Sequence, residues 1–306
     1  MLDYDAVIIG GGPAGLTAGL YLSRGKRRTV LLEKENFGGP MKNWEWIENY
    51  PGFVEGVSGA QLGSEMVNQA SKYGLQYEQA EVTGIDLYAS SRWVKCTGGA
   101  GYTTAVVIIA GGARHKKLGV PGEEKLQGKG VFSCATCDGG QFMGRVVAVC
   151  GGGDAGLTEA LYITRLASRV IVVEAMPRIT AGAVLEERAR ANSKLEIRTG
   201  VKVRAVLGDH RVEGIELVDA QGEGEILAVD GVLVHIGLEP NTDYLEGLVP
   251  LDAEGWVKVN DRMETEVPYI LAAGDVRSGS SRQIITAAGD GATAALSAER
   301  LLQELA

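Results

Sequence analysis

The sequence predicts an α/β protein built from two copies of one strand–turn–helix–strand unit, the second copy inserted into the first domain. Three observations carry that prediction. Residues 7–33, VIIGGGPAGLTAGLYLSRGKRRTVLLE, align without a gap with residues 148–174, AVCGGGDAGLTEALYITRLASRVIVVE, at an offset of 141, and 12 of the 24 positions from Gly10 to Glu33 are identical to those from Gly151 to Glu174. Each copy leads from an apolar strand through a glycine turn into an amphipathic helix and then into a second apolar strand that ends in an acid. Near the C-terminus, YILAAGD followed by a long alanine-rich helix repeats the strand–glycine pattern of AVVIIAGGA, so the chain returns to the first domain after the second copy.

Taken in order, the first copy supplies Gly10, Gly12 and Gly15, with Pro13 and Ala14 opening the helix. The first glycines allow a tight turn and close approach of a pyrophosphate, and the third lets the helix pack on the strand. The helix N-terminus then presents free N–H groups to phosphates. Glu33, ~20 residues on, is the acid that accepts hydrogen bonds from adenosine ribose hydroxyls. Each copy is therefore a Rossmann-like, dinucleotide-binding fingerprint. The second places Gly151, Gly153, Gly156 and Glu174 in the same roles.

Between the copies lies a β-rich region from Gln76 to about Thr103, followed by a buried strand running into Ala-Gly-Gly. After the second copy, Asp275 follows a strand at a position suited to the ribitol or pyrophosphate side of a cofactor. The helix from about Gln283 directs its positive end at a ring system that becomes negative on reduction. The expected division is residues 1–115 plus 245–306 for the first domain and 116–244 for the inserted one, with two crossings that permit rotation.

A different chemistry sits in VFSCATCDGG, where Cys134 and Cys137 stand two residues apart and Asp138 follows. Half of a zinc site has this spacing, but zinc needs four ligands. Cys96 and Cys150 are isolated, Cys150 ending an apolar run as a core residue, and His115, His210 and His235 form no spaced pair, so no metal site is expected. The redox reading prevails. A C-x-x-C pair closes and opens a disulfide with little backbone movement, one thiol meeting the substrate and the other resolving the mixed disulfide, while Asp138 moves a proton or instead caps a helix start.

The chain of 306 residues, 45% hydrophobic and 23% charged, has the composition of a soluble globular protein of about two domains. A net charge of -9 argues against nucleic-acid and anionic-membrane partners. No stretch approaches the ~20 apolar residues of a membrane span, and the opening MLDYDAVIIGGG has no signal-peptide pattern, so a cytoplasmic location is expected.

In the order of GGGPAG, ENYPG (Glu48–Gly52), SCATCDG, GGGDAG, GLEPNT (Gly237–Thr242) and AAGD with RQIITAAGDG, the whole chain resembles the low-molecular-weight thioredoxin reductases. The resemblance implies FAD in the split domain, touched by Gly10, Gly12, Pro13, Ala14, Gly15, Glu33, Asn49, Gly274, Asp275, Arg282 and Gln283. It implies that Cys137 lies nearest the flavin, that Cys134 exchanges with thioredoxin or a thioredoxin-like protein, that Asp138 is the acid–base partner, and that the chain forms a homodimer.

The sequence departs from the family's pattern in three places. NADPH-dependent members carry a His-Arg-Arg cluster after the second strand and a further arginine downstream; here Glu174 is followed by Ala175 and Met176, with Thr180 downstream and Arg178 as a single substitute. A 2′-phosphate beside Glu174 without paired arginines is repelled, which disfavours NADPH and is compatible with NADH. The loop ahead of the flavin is GGPMKNWEW, which brings Trp44 and Trp46 near the flavin or into packing and dimer contacts, and Pro40 removes an amide donor. Four readings follow: an NADH-driven disulfide reductase; the same chemistry fed by a ferredoxin-like donor, with a second FAD or nothing in the inserted domain; a dithiol oxidase passing electrons to oxygen; and a flavoprotein binding module with an idle C-x-x-C.

Overall fold

The computed structural model describes residues 2–44, 46–245 and 247–305; Glu45 of the tryptophan loop lies outside them. The chain divides into two compact units, Met1–Arg114 with Glu239–Ala306, and His115–Leu238.

In the first unit, strand Tyr4–Ile9 lies between Thr29–Glu33 and Gly101–Ile109, parallel to both, with Ile8 opposite Leu31 on one side and Ile108 on the other. Gln76–Gln79 extends the sheet beyond Thr29–Glu33. Arg92–Cys96 and Val82–Leu87 continue it antiparallel from the near half of Gly101–Ile109, while Ile270–Ala272 pairs parallel with its far half. The central strands are unbroken apolar runs because both faces of a parallel sheet are covered. Ala6, Ile8, Leu31, Val106 and Ile108 pack with helices Pro13–Arg24 and Ile284–Glu304, whereas Val7, Ile9, Leu32, Val107 and Ile109 pack with Leu245, Val257 and Val276 on the opposite face. Ile8 and Ile108 are fully buried, each worth about 1.5–3 kcal/mol of apolar transfer.

In the second unit the parallel strands run in the order Leu195–Thr199, Arg169–Glu174, Val146–Cys150, Gly231–Val234, Val131–Phe132, and a separate antiparallel sheet joins Val201–Leu207, Gly214–Asp219 and Gly224–Leu227. The strand order reverses direction between Val146–Cys150 and Gly231–Val234, the switch point where an open α/β sheet binds ligands beyond its carboxyl ends. Gly151, Ser133 and His235 all follow strands at that edge.

The return to the first unit comes between Leu238 and Glu239, earlier than the expected residue 245. From Glu239 onward the GLEPNT segment is tied to the first unit. Arg114 bonds Glu239 (2.7 Å) and Asp243 (2.7 Å), Asn241 Nδ2 donates to the Gly111 carbonyl (2.8 Å), the Thr242 hydroxyl donates to the Gly255 carbonyl (3.0 Å), and Leu245 is buried in its core.

Both glycine-turn helices depend on one contact. A Cβ on Gly15 would sit 1.9 Å from the Gly10 carbonyl oxygen, and one on Gly156 would sit 2.1 Å from that of Gly151. Alanine normally gains about 1 kcal/mol over glycine inside a helix. Here Gly15→Ala is expected to lose roughly 1–3 kcal/mol through overpacking, read as a lower thermal unfolding midpoint of the flavin-free protein; a midpoint equal to or above wild type would refute the contact.

Candidate functional site

The first glycine turn is shaped by its own backbone. Gly10 has φ +109°, and a Cβ there would meet the Ala110 carbonyl oxygen at 2.2 Å, so both conformation and packing require glycine. Gly12, the N-cap of helix Pro13–Arg24, has nothing within 4 Å of a Cβ position. Protein packing therefore does not explain its missing side chain, whereas a phosphate approaching the helix N-terminus does, and the turn fits a dinucleotide. Glu33 completes it: Gly11 N–H donates to Oε2 (2.7 Å) and Glu35 N–H to Oε1 (2.8 Å). Both oxygens are oriented by amides and keep lone pairs for hydroxyl donors.

The C-terminal residues gather in the same unit. Gly274, at φ +78°, would place a Cβ 2.8 Å from that of Ala14, and its N–H donates to Asp290, which Arg277 grips through Nε (2.6 Å) and Nη2 (2.9 Å). Asp275 accepts from the Ser280 hydroxyl (3.0 Å). Burial raises its carboxyl above the ordinary range, with the Ser280 bond and then the Arg282 charge opposing. Asn49 Nδ2 donates to Gln283 Oε1 (2.9 Å), joining two expected cofactor residues, and Gln283 is the N-cap of helix Ile284–Glu304.

The second turn reproduces the first. Gly151 has φ +116° and would clash with the His235 carbonyl at 2.0 Å, while a Cβ on Gly153 would have only the Thr180 hydroxyl near, at 3.7 Å. Glu174 is buried and accepts from Gly152 N–H (2.6 Å) and Met176 N–H (2.8 Å), the same clamp as at Glu33. No cation pairs with it among the described residues. Met176, Arg178 and Thr180 are exposed beyond it, and Arg178 has no partner among the described residues.

Cys134 and Cys137 form a disulfide with Cα atoms 5.4 Å apart. Cys134 caps the short helix Ala135–Asp138, its Sγ accepting from Cys137 N–H (3.1 Å) and lying 3.4 Å from the Thr136 hydroxyl. Asp138 ends that helix and stands as the N-cap residue of the following turn, Gly139–Phe142, where its side chain caps no backbone amide. Asp138 Oδ1 accepts from Gln141 at 3.4 Å. Cys137 is the more exposed of the two, with Cys134 half-buried.

Glu159 is a site residue that sequence reasoning missed. It lies on helix Asp154–Ile163, and its Oε2 accepts from Ala135 N–H at 2.6 Å, anchoring the redox helix to the glycine-turn helix within one unit. Burial pushes its carboxyl up and the Ala135 bond only partly offsets this. The signal was present in the repeat, where the second copy carries a carboxylate at the register of the buried Ala18.

Two of the histidines take packing roles. His115 and His235, far apart in sequence, pack edge-to-face with ring centroids 4.5 Å apart, brought together as Lys116 N–H bonds the Gly237 carbonyl. Both ring nitrogens of His235 are buried without a hydrogen-bond partner. Burial, then His115, depresses its pKa to about 4, the nearby Ser133 backbone opposing without reaching hydrogen-bond geometry. Cys150 is a core residue, its thiol pushed up to about 12 by burial. Trp44 and Trp46 are largely exposed, and a Cβ on Gly56 would strike the Trp46 ring at 2.4 Å. Among the described residues no cluster of His, Cys, Asp and Glu could hold a metal, and no helix is long and apolar enough to cross a membrane.

Comparison with known proteins agrees with this arrangement. The family described as pyridine nucleotide-disulphide oxidoreductase matches residues 4–291. A thioredoxin reductase of Bacillus subtilis (strain 168) is 41% identical over 304 residues, covering 99% of this chain and 96% of its own. Two solved structures superpose closely: a Lactococcus lactis thioredoxin reductase, with TM-score 0.96, 36% identity and 99% and 100% of the two chains covered, and a T. acidophilum thioredoxin reductase, with TM-score 0.93, 33% identity and 100% and 99% covered.

Glu159 has two measurable consequences. Glu159→Ala leaves the Ala135 N–H without its acceptor and is expected to cost about 1–3 kcal/mol. Because the folded-state pKa is raised, the carboxyl contributes most at low pH, and that contribution is lost as pH rises from the ordinary 4.5 through the folded value. The stability of wild type relative to Glu159→Gln, measured by urea unfolding, should therefore fall as pH rises above 4.5; a flat difference would exclude this role.

Proposed function

We propose that this chain, which belongs to the pyridine nucleotide-disulphide oxidoreductase family and is an oxidoreductase of the thioredoxin reductase type acting on a sulfur group, draws its electrons from NADH in preference to NADPH and delivers them to thioredoxin or a thioredoxin-like protein. The family implies FAD, and the first glycine turn with Glu33 fits that dinucleotide. When bound, FAD carries two electrons between a nicotinamide and a disulfide. The observation that carries the donor assignment is the environment of Glu174: a carboxylate clamped by two amides, with no arginine paired to it among the described residues. An acid so placed receives free ribose hydroxyls and repels a 2′-phosphate.

The chain's own residues account for the sulfur steps. Two electrons break the Cys134–Cys137 bond and leave two thiolates, one of which is protonated, with Asp138 as the acid–base group and Cys137 on the flavin side. The Cys134 thiolate attacks the substrate disulfide, forming a mixed disulfide and expelling one substrate thiolate. Attack by Cys137 on Cys134 then re-forms the internal disulfide and releases the substrate dithiol. Exposure in the oxidised form favours Cys137 as the sulfur met first from solvent, so the cysteine assignment rests on the resemblance. Assembly as a homodimer belongs to the same reading.

A second reading has one observation in its favour. The Glu174 clamp copies the Glu33 clamp bond for bond, as a second flavin with a ferredoxin-like donor would require. Heat-released flavin decides the matter: the NADH reading expects one FAD per chain, and two would remove it.

Anaerobic mixing of the oxidised protein with each reduced nucleotide tests the donor. Loss of one charge-assisted phosphate contact corresponds to roughly 10- to 100-fold in apparent affinity, so NADH should bleach the flavin at concentrations that far below those needed with NADPH; complete bleaching by micromolar NADPH would overturn the assignment. For the sulfur roles, Cys137→Ser should trap a mixed disulfide with the substrate through Cys134, visible on a non-reducing gel. Trapping by Cys134→Ser instead would exchange the two roles.

A further inference from the structure

We propose that Trp256 is a positioning residue that holds the guanidinium of Arg282 in place for the cofactor of the first unit. The inference rests on the assignment of Arg282 to the FAD site. Trp256 is 5% exposed, and its own position is set by its N–H to Asp252 Oδ1 (3.0 Å) and its indole N–H to Glu254 Oε2 (3.2 Å). The Arg282 guanidinium lies 4.6 Å from the Trp256 ring centroid, within the distance at which an indole face attracts a cation and at the ring type that does so best.

The backbone supplies an independent observation. Arg282 has φ +55°, a left-handed conformation that disfavours any residue with a Cβ and that a long side chain rarely adopts. Glycine there would be free of strain. Residues held in such conformations cluster at functional sites and persist where the surroundings over-determine them, and Arg282 is held at both ends: its N–H donates to the Ser280 hydroxyl oxygen (3.1 Å), and its head stacks on Trp256. Ser280 in turn donates to Asp275, while the next residue, Gln283, starts the C-terminal helix and receives Asn49. The strained arginine thus stands between two expected cofactor contacts, and its charge reaches the half-buried Asp275 carboxylate.

The experiment uses flavin-free full-length protein, with FAD affinity from flavin fluorescence on titration and thermal unfolding of the same samples. Arg282→Gly should weaken FAD binding about tenfold yet raise the unfolding temperature of the flavin-free protein, because glycine relieves the left-handed backbone. Trp256→Met, which keeps an apolar side chain without a ring face, should weaken FAD binding by about three- to fivefold, and Trp256→Phe should restore most of the loss. In the Arg282→Gly background, Trp256→Met should cost nothing further. If Trp256→Met weakens FAD equally with and without Arg282, or leaves it unchanged while Arg282→Gly weakens it, the positioning role falls and Arg282 keeps its assignment. If Arg282→Gly leaves FAD affinity unchanged, the assignment of Arg282 itself fails. Should Trp256→Met not fold, the test passes to Trp256→Phe, which should bind FAD more weakly than wild type by a margin that disappears in the Arg282→Gly background.

Discussion

The constraint on which the rest depends is the contact between a helix backbone and a carbonyl oxygen at the end of a strand, made once at Gly15 and Gly10 and again at Gly156 and Gly151. Only a residue without Cβ lets the helix approach this closely. The approach aims the unpaired N–H groups of the helix start past the sheet edge, where an anion can be held by dipole and hydrogen bonds together. It also brings the second glycine of each turn within 2.6–2.7 Å of the acid that ends the following strand. A ribose position and a phosphate position are thus set by one packing event, and the chain performs it twice.

A second regularity is that three of the buried or half-buried glutamates are held by backbone amides. Glu33 and Glu174 each accept two, and Glu159 accepts the first N–H of the redox helix. An amide neutralises less charge than an arginine would, but it fixes direction firmly and leaves lone pairs free. For Glu174 the consequence is that both carboxylate oxygens are aimed by amides, with no cation paired to them among the described residues. For Glu159 it is mechanical, since the disulfide helix of four residues is too short to hold itself and takes one support from a neighbouring helix and another from its own sulfur.

Much of this was legible beforehand because it is local. The repeat exposed both turns, and the spacing of Cys134 and Cys137 suffices to close a disulfide without bringing distant chain together. What escaped was non-local. His115 and His235, each expected only at the surface or in packing, pack on one another because the chain around Lys116 and Gly237 is brought together. The return crossing was placed too late because the ties that assign GLEPNT to the first unit run to Arg114, Gly111 and Gly255, none of them neighbours in sequence. Asp138 does stand at the start of the turn Gly139–Phe142, but its carboxylate accepts from the Gln141 side chain and caps no amide.

By itself the sequence determined the unit that is built twice, the residues of both glycine turns, the acids that end their strands, and the cysteine pair, since each follows from side-chain size, charge and short-range spacing. Only the tertiary structure decided which groups from distant segments share a site: Glu159 beneath the redox helix, Asn49 against Gln283, and Trp256 against a strained Arg282. Those pairings depend on how strands order in a sheet and how helices pack upon it. That is settled by burial summed over the whole chain, which no short window of sequence contains.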